Sequence, residues 1–144
     1  MKNNMIEIRY IQNTDKVFWY TLDRHLPKSE FDLKVRDKRG YVLLNVGMPI
    51  GILRYNLFWD NIPFCTLLYI SDKYQRQGYG KKLMEYWENE MEAKGYSFVL
   101  TSTQANEEAQ HFYRKLGYRD CGSLIMKEEP TELFLIKELK RTGK

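Results

Sequence analysis

The spacing of apolar positions changes along the chain, and each change marks an element. "MIEIRY" (5–10) alternates apolar and polar residues, as a half-buried strand does. In "NTDKVFWYTLDRH" (13–25) the spacing lengthens. Val17, Phe18 and Leu22 form a helical stripe there, with Asn13 or Thr14 as N-cap and Pro27 as terminator. "SEFDLKVRDK" (29–38) predicts a short second helix capped by Ser29. Three strands follow, 40–46, 50–59 and 64–71, with turn residues in "GMP" and "DNIP" between them. Leu83, Met84, Trp87 and Met91 then recur at helical spacing, predicting a helix over 78–94 that Gly95 ends. A strand over 96–103 leads to "NEEAQHFYRKLG" (106–117), a helix with the stripe Ala109, Phe112, Tyr113 and Leu116. Asn106 stands at its N-cap position, acids in its first turn, bases in its last and Gly117 at its end. Strands over 118–126 and 132–139, separated by a turn at Pro130, close the chain.

The predicted order is β-α-α-β-β-β-α-β-α-β-β. Three hairpin strands followed by a β-α-β unit imply an α/β fold with a mixed central sheet flanked by helices. The length, 144 residues, suits a single domain over 1–144, with 139–144 as a solvated tail.

Composition adds three constraints. Aromatic content is 15%, led by 11 Tyr, which fits a sheet-rich domain or an aromatic-lined cleft. The net charge is +4. That suits a phosphate-bearing ligand, while the spread of basic residues and the acids in the motif helices count against nucleic acid. Cys65 and Cys121 sit in apolar sequence and read as buried thiols of a reducing compartment. No apolar run approaches the roughly 18 residues of a membrane span, and "MKNNMIEIRY" lacks a secretory h-region. These features predict a cytoplasmic protein with no membrane partner. Two histidines and two scattered cysteines predict no metal.

The segment "DKYQRQGYGKKLMEYW" (72–87) carries the first candidate chemistry. It changes from strand to helix on two glycines and several cations, with no Ser, Thr, Asp or Asn at the cap. A helix start of that kind leaves backbone N–H groups open, and glycine lets an anion approach them. A tight turn with exposed bases is the plainer reading. The Walker and Rossmann glycine patterns are absent.

Gln75-Arg76-Gln77-Gly78-Tyr79-Gly80 has the form Q-x-x-G-x-G, between an apolar strand and an amphipathic helix. It resembles the acetyl-CoA signature of the GNAT superfamily of N-acetyltransferases. "NEEAQHFYRKLGY" resembles a second motif of that superfamily, N-x-x-A-x-x-x-Y-x-x-x-G-[FY], at Asn106, Ala109, Tyr113, Gly117 and Tyr118. The element order is similar as well. The resemblance implies acetyl-CoA as co-substrate, with its pyrophosphate on the backbone from Arg76 to Lys81 and Gln75 within the signature. It implies that pantetheine pairs with the strand near Leu68, Tyr69 and Ile70, that Asn106 reaches that arm, and that Tyr113 points at the sulfur. Asn106 is equally a plain N-cap, and Tyr113 lies on a stripe where a core tyrosine is common.

The implied reaction moves an acetyl group directly to a primary amine through a tetrahedral intermediate. Tyr113 is the candidate general acid to the CoA thiolate, since a thiol near 8.5 and a phenol near 10 are close enough for proton transfer. A backbone N–H near Ile70 could serve the oxyanion. Asp60 is the nearest acid in sequence that could take the amine's proton, with Tyr69 or a water chain as alternatives, and its aromatic segment, "YNLFWDN", could also be sheet core and turn. Ser102, Thr103 and Gln104 are placed to face the acceptor, which could be a small-molecule, peptide or protein amine. A homodimer is compatible with the sequence. The alternative is a CoA-binding sensor or interaction module without turnover.

Overall fold

A computed structural model describes residues 5–140. The strands are β1 (Ile6–Tyr10), β2 (Gly40–Asn45), β3 (Met48–Phe58), β4 (Ile62–Ile70), β5 (Phe98–Gln104), β6 (Arg119–Leu124) and β7 (Glu132–Glu138). The helices are α1 (Lys16–Leu22), α2 (Lys28–Asp37), α3 (Tyr79–Ala93) and α4 (Ala109–Lys115). The strands form a seven-stranded mixed sheet in the order β1-β2-β3-β4-β5-β7-β6. Thus the α/β order expected from the pattern is the order observed.

Contacts divide the described residues into two compact units, 5–55 with 67–87, and 56–66 with 88–140. In the first unit β1 pairs antiparallel with β2, and β2 with β3. Trp19, Phe31, Val42 and Ile52 are fully buried together in one core cluster. Another aromatic row explains part of the tyrosine content. Tyr41 stacks on Tyr10 at 5.7 Å and on Tyr55 at 6.3 Å, with Tyr86 of α3 edge-on at 5.6 Å. Gly51 is fixed by close approach, since a Cβ there would lie 2.6 Å from the Ile70 Cδ1. Leu83, Met84 and Trp87 are fully buried in this unit, and Met91 in the second, as their spacing predicts.

In the second unit β4 runs parallel to β5 through the pairs Phe64↔Leu100 and Cys65↔Thr101. β5 pairs antiparallel with β7 over its full length, and β7 with β6. Every residue of β6 is exposed. Phe64 joins Phe58 at 6.1 Å and Phe134 at 5.6 Å. Leu139 is buried and donates its N–H to the Ser97 carbonyl at 2.9 Å, so the chain stays docked one residue into the expected tail. Residues 141–144 of that tail lie outside the described residues.

Several local expectations are corrected. A 3₁₀ turn occupies Asn13–Asp15, and α1 begins only at Lys16. Neither Asn13 nor Thr14 caps it; Asp15 ties the start by accepting the Gln12 N–H at 2.7 Å and both Arg9 guanidinium nitrogens at 2.8 and 2.9 Å. Phe18 and Leu22 pack against the core as their spacing predicts, but Val17 is 85% exposed and Trp19 is fully buried instead. Ser29 falls inside α2, whose N-cap is Pro27. Trp59 is 76% exposed in the β3–β4 turn, not sheet core. Cys65 is buried, but Cys121 lies exposed on β6.

Candidate active site

The turn into α3 belongs to the first unit. Gly78 has φ +88°, and its carbonyl accepts the first helical bond, from the Lys82 N–H at 3.1 Å. A Cβ on Gly78 would meet nothing within 4 Å, so the glycine answers to the backbone angle and not to crowding. Arg76 is also left-handed, at φ 60°. Two such residues within three positions make a strained loop, and two glutamine side chains hold it. The Gln75 Nε2 donates to the Ile70 carbonyl at 2.8 Å, and the Gln77 Nε2 to the Lys73 carbonyl at 3.1 Å. With those amides engaged inside the loop, Gln75 and Gln77 act as staples. The N–H groups of Tyr79, Gly80 and Lys81 form the first turn of α3, where no intrahelical acceptor exists. Arg76, Lys81 and Lys82 are exposed around them. Leu68 is half-buried, Tyr69 is 37% exposed and Ile70 is buried at the end of β4. The bond from Gln75 already occupies the Ile70 carbonyl, which moves any added strand pairing toward Leu68 and Tyr69.

The second unit holds Tyr113, which α4 buries to 6% exposure. The Thr101 hydroxyl donates to the Cys65 carbonyl at 3.1 Å, and Thr101 lies beside the Tyr113 phenol and favours its ionised form slightly. Phe112 and Tyr118 flank the ring edge-on, at 5.1 and 5.7 Å. Burial pushes the Tyr113 phenol well above its ordinary value, and the nearby Cys65 and Glu107 add to this against Thr101. The group therefore stays protonated and can donate.

Asn106 does not cap α4. The helix starts three residues later, at Ala109, with Glu108 at its N-cap, and Asn106 is exposed in the preceding turn. Ala109 is half-buried at the helix start. No side chain caps α4; Glu107 instead ties the preceding turn back to β5, accepting the Thr103 hydroxyl at 2.9 Å and the Gln104 N–H at 3.3 Å. Its only sequence signal was an acid in the first turn. Ser102, Thr103 and Gln104 cannot share a face, because strand side chains alternate. Thr103 is 5% exposed on the Thr101 side. On the other face Ser102 donates to Glu132 at 2.7 Å and Gln104 to Glu129 at 3.1 Å. Those two glutamates were not singled out in the sequence.

Asp60 is displaced from this chemistry. It sits exposed in the β3–β4 turn at φ 66°, five residues before Cys65. At about 3.3 Å per strand residue, that is on the order of 15 Å along the chain from the Cys65 carbonyl. An open cavity of about 330 Å³, lined by Trp59, Asn61, Ile62, Tyr96 and Phe98, occupies that same end of β4 and β5.

The family model described as "Acetyltransferase (GNAT) family" matches residues 5–118. The chain belongs to the GNAT acetyltransferase family. The fold agrees with solved GNAT structures at low identity. The ribosomal-protein-S18-alanine N-acetyltransferase of Escherichia coli aligns with a TM-score of 0.80 at 18% identity, covering 97% of each chain. Naa50 of Arabidopsis thaliana, bound to the bisubstrate analogue CoA-Ac-MVNAL, gives 0.76 at 13% identity, with 92% of this chain and 98% of that one covered. A GNAT acetyltransferase of Elizabethkingia anophelis with acetyl-CoA bound gives 0.76 at 18% identity, covering 95% and 100%. No curated protein matches the sequence. Among the described residues of this GNAT chain no helix is long and apolar enough to cross a membrane. Among those residues, too, no group of three His, Cys, Asp or Glu is placed to hold a metal ion.

Proposed function

We propose that the chain transfers the acetyl group of acetyl-CoA directly to a primary amine, as one domain, with Tyr113 serving the departing sulfur. The observation that carries this reading is Tyr113 itself, a buried phenol on a motif helix, kept protonated by its burial. The first-turn N–H groups of Tyr79 to Lys81 and the cations beside them suit the donor's pyrophosphate. The backbone of Leu68 and Tyr69 suits the amides of its pantetheine arm.

The amine nitrogen attacks the thioester carbon, whose oxygen takes the negative charge. The C–S bond then breaks, the nitrogen loses a proton to solvent, and the sulfur gains one. A phenol above 10 gives its proton to a thiolate near 8.5 only uphill in water. A thiolate against the same apolar wall is raised too, for the same desolvation reason, which narrows the gap. Tyr113 thus acts first as a hydrogen-bond donor to developing sulfur charge and transfers the proton as the bond breaks, and solvent then returns a proton to the phenolate.

Glu132 and Glu129, held by Ser102 and Gln104, put two carboxylates on the face of β5 opposite Thr101. They favour a cationic acceptor. A turnover screen with acetyl-CoA tests the reading across peptides with free N-termini, lysine peptides, polyamines and aminoglycosides. Thiol release with at least one amine, reduced about 100-fold in Tyr113→Phe at unchanged CoA affinity, is expected. CoA binding without thiol release for any amine would leave a sensor.

A further inference from the structure

We propose that Glu88, Tyr118 and Lys137 form a buried clamp that positions Tyr113, an inference that rests on Tyr113 serving the leaving sulfur. All four residues belong to the second unit. Glu88, on α3, is only 5% exposed. Its two carboxylate oxygens are divided between two donors. The Tyr118 hydroxyl donates to Oε2 at 2.6 Å, and the Lys137 ammonium of β7 donates to Oε1 at 2.8 Å. The same ammonium lies 5.6 Å from the Tyr118 ring centroid, which closes the three groups on one another. Both charge-assisted bonds run through low-dielectric surroundings, where they are stronger and more directional than in water.

Tyr118 is what the clamp holds, and Tyr118 is what Tyr113 leans on. The two rings meet edge to face at 5.7 Å and 68°. The Tyr118 N–H also donates to the Tyr113 carbonyl at 3.1 Å. Between them Gly117, at φ +103°, lets the chain reverse beside the Lys137 arm. Tyr113 is therefore held at its carbonyl and its ring by Tyr118. Burial and the Glu88 carboxylate push the Tyr118 phenol well above its ordinary value, so it remains a donor at every working pH. Nothing else described in this unit gives Glu88 a purpose, and an acid is an expensive way to fill a helix face that apolar residues pack well. Glu88, Tyr118 and Lys137 touch no reacting atom in this scheme; they are positioning residues.

The test compares Glu88→Gln and Tyr118→Phe with the parent, each alone and combined with Tyr113→Phe, using acetyl-CoA and the amine that turns over fastest in the screen. The expected result is a 5- to 20-fold fall in kcat in each single variant, with the KM for acetyl-CoA within twofold of the parent. In the Tyr113→Phe background the same changes are expected to cost less than twofold. Ring-flip rates of labelled Tyr113, read by nuclear magnetic resonance, should rise in both single variants and need no acceptor. If Glu88→Gln does not fold, Tyr118→Phe and Lys137→Met carry the same readouts. Full additivity with Tyr113→Phe, or unchanged kcat and ring-flip rates in folded variants, overturns the clamp while leaving the role of Tyr113 intact. An unaltered rate in Tyr113→Phe itself removes that role, and with it the object being positioned.

Discussion

Tyr113 and Asp23 show how two buried acids shift in opposite directions when their partners differ. Around Tyr113 desolvation dominates and raises the phenol. A raised acid stays protonated until pH climbs through its folded value, so its donor capacity is intact across the working range. The acceptor amine titrates instead: an α-amine near 8 or a lysine near 10.4 must lose a proton before attack. We expect log(kcat/KM) to rise with unit slope up to the amine's pKa and then level, with no falling limb below pH 10. A falling limb in that window, absent in Tyr113→Phe, would place the phenol much lower. At Asp23 burial also favours the neutral form, but it is outweighed. The Arg54 guanidinium at 2.7 Å, the His25 N–H at 3.0 Å and the Trp19 indole at 2.9 Å hold the carboxyl below its usual value. A lowered carboxyl stabilises the fold above its unfolded pKa and loses that contribution as pH falls through the folded one. Asp23→Asn should cost about 3–5 kcal/mol at pH 7, because Arg54 loses a fully buried partner. The gap to the parent in urea unfolding should shrink below about pH 4.

At the scale of elements, the strand and helix order was legible because period is a property of many residues at once. The ends were not, because a cap depends on whether one side chain reaches one N–H. Asn106 has the right chemistry for a cap, yet the chain turns for three more residues, and Glu107 ties that turn to β5 without capping the helix. Over the seven residues of α1, period alone could not choose between Val17 and Trp19. The turn before α3 was legible as a strand-to-helix change on glycines, but the internal hydrogen bonds of its two glutamine side chains were not. Their contribution is measurable. Gln75→Ala removes the bond to the Ile70 carbonyl and should cost about 1 kcal/mol of stability. It should also weaken CoA binding, although the side chain touches no ligand in this scheme. Gly78→Ala forces a Cβ residue to φ +88°, at about 1–2 kcal/mol, with no clash to add to it. Isothermal titration with CoA and thermal unfolding of both variants would check this. Lost affinity with an unchanged melting temperature in Gln75→Ala would make that residue a direct contact instead.

Across the whole molecule the modest net charge of +4 conceals a division. Residues 5–55 with 67–87 carry 13 Lys and Arg against 8 Asp and Glu, whereas 56–66 with 88–140 carry 7 against 11. The basic unit includes the turn proposed for the donor's phosphates. The acidic unit includes the Glu129 and Glu132 face proposed for the acceptor. Composition of the undivided chain could not show this, since the two excesses nearly cancel. An anionic donor and a cationic acceptor are then each drawn by a field of the appropriate sign, and both attractions are screened by salt. The Debye length falls from about 10 Å at 0.1 M to about 3 Å at 1 M. Raising salt from 0.05 to 0.5 M should therefore raise the KM for acetyl-CoA severalfold, and the KM for a cationic amine as well, with kcat nearly constant. Lys81→Ala combined with Lys82→Ala should flatten the acetyl-CoA dependence alone, and Glu129→Gln combined with Glu132→Gln the amine dependence alone. Salt slopes that stay parallel to the parent in both double variants would mean that neither cluster faces its proposed substrate.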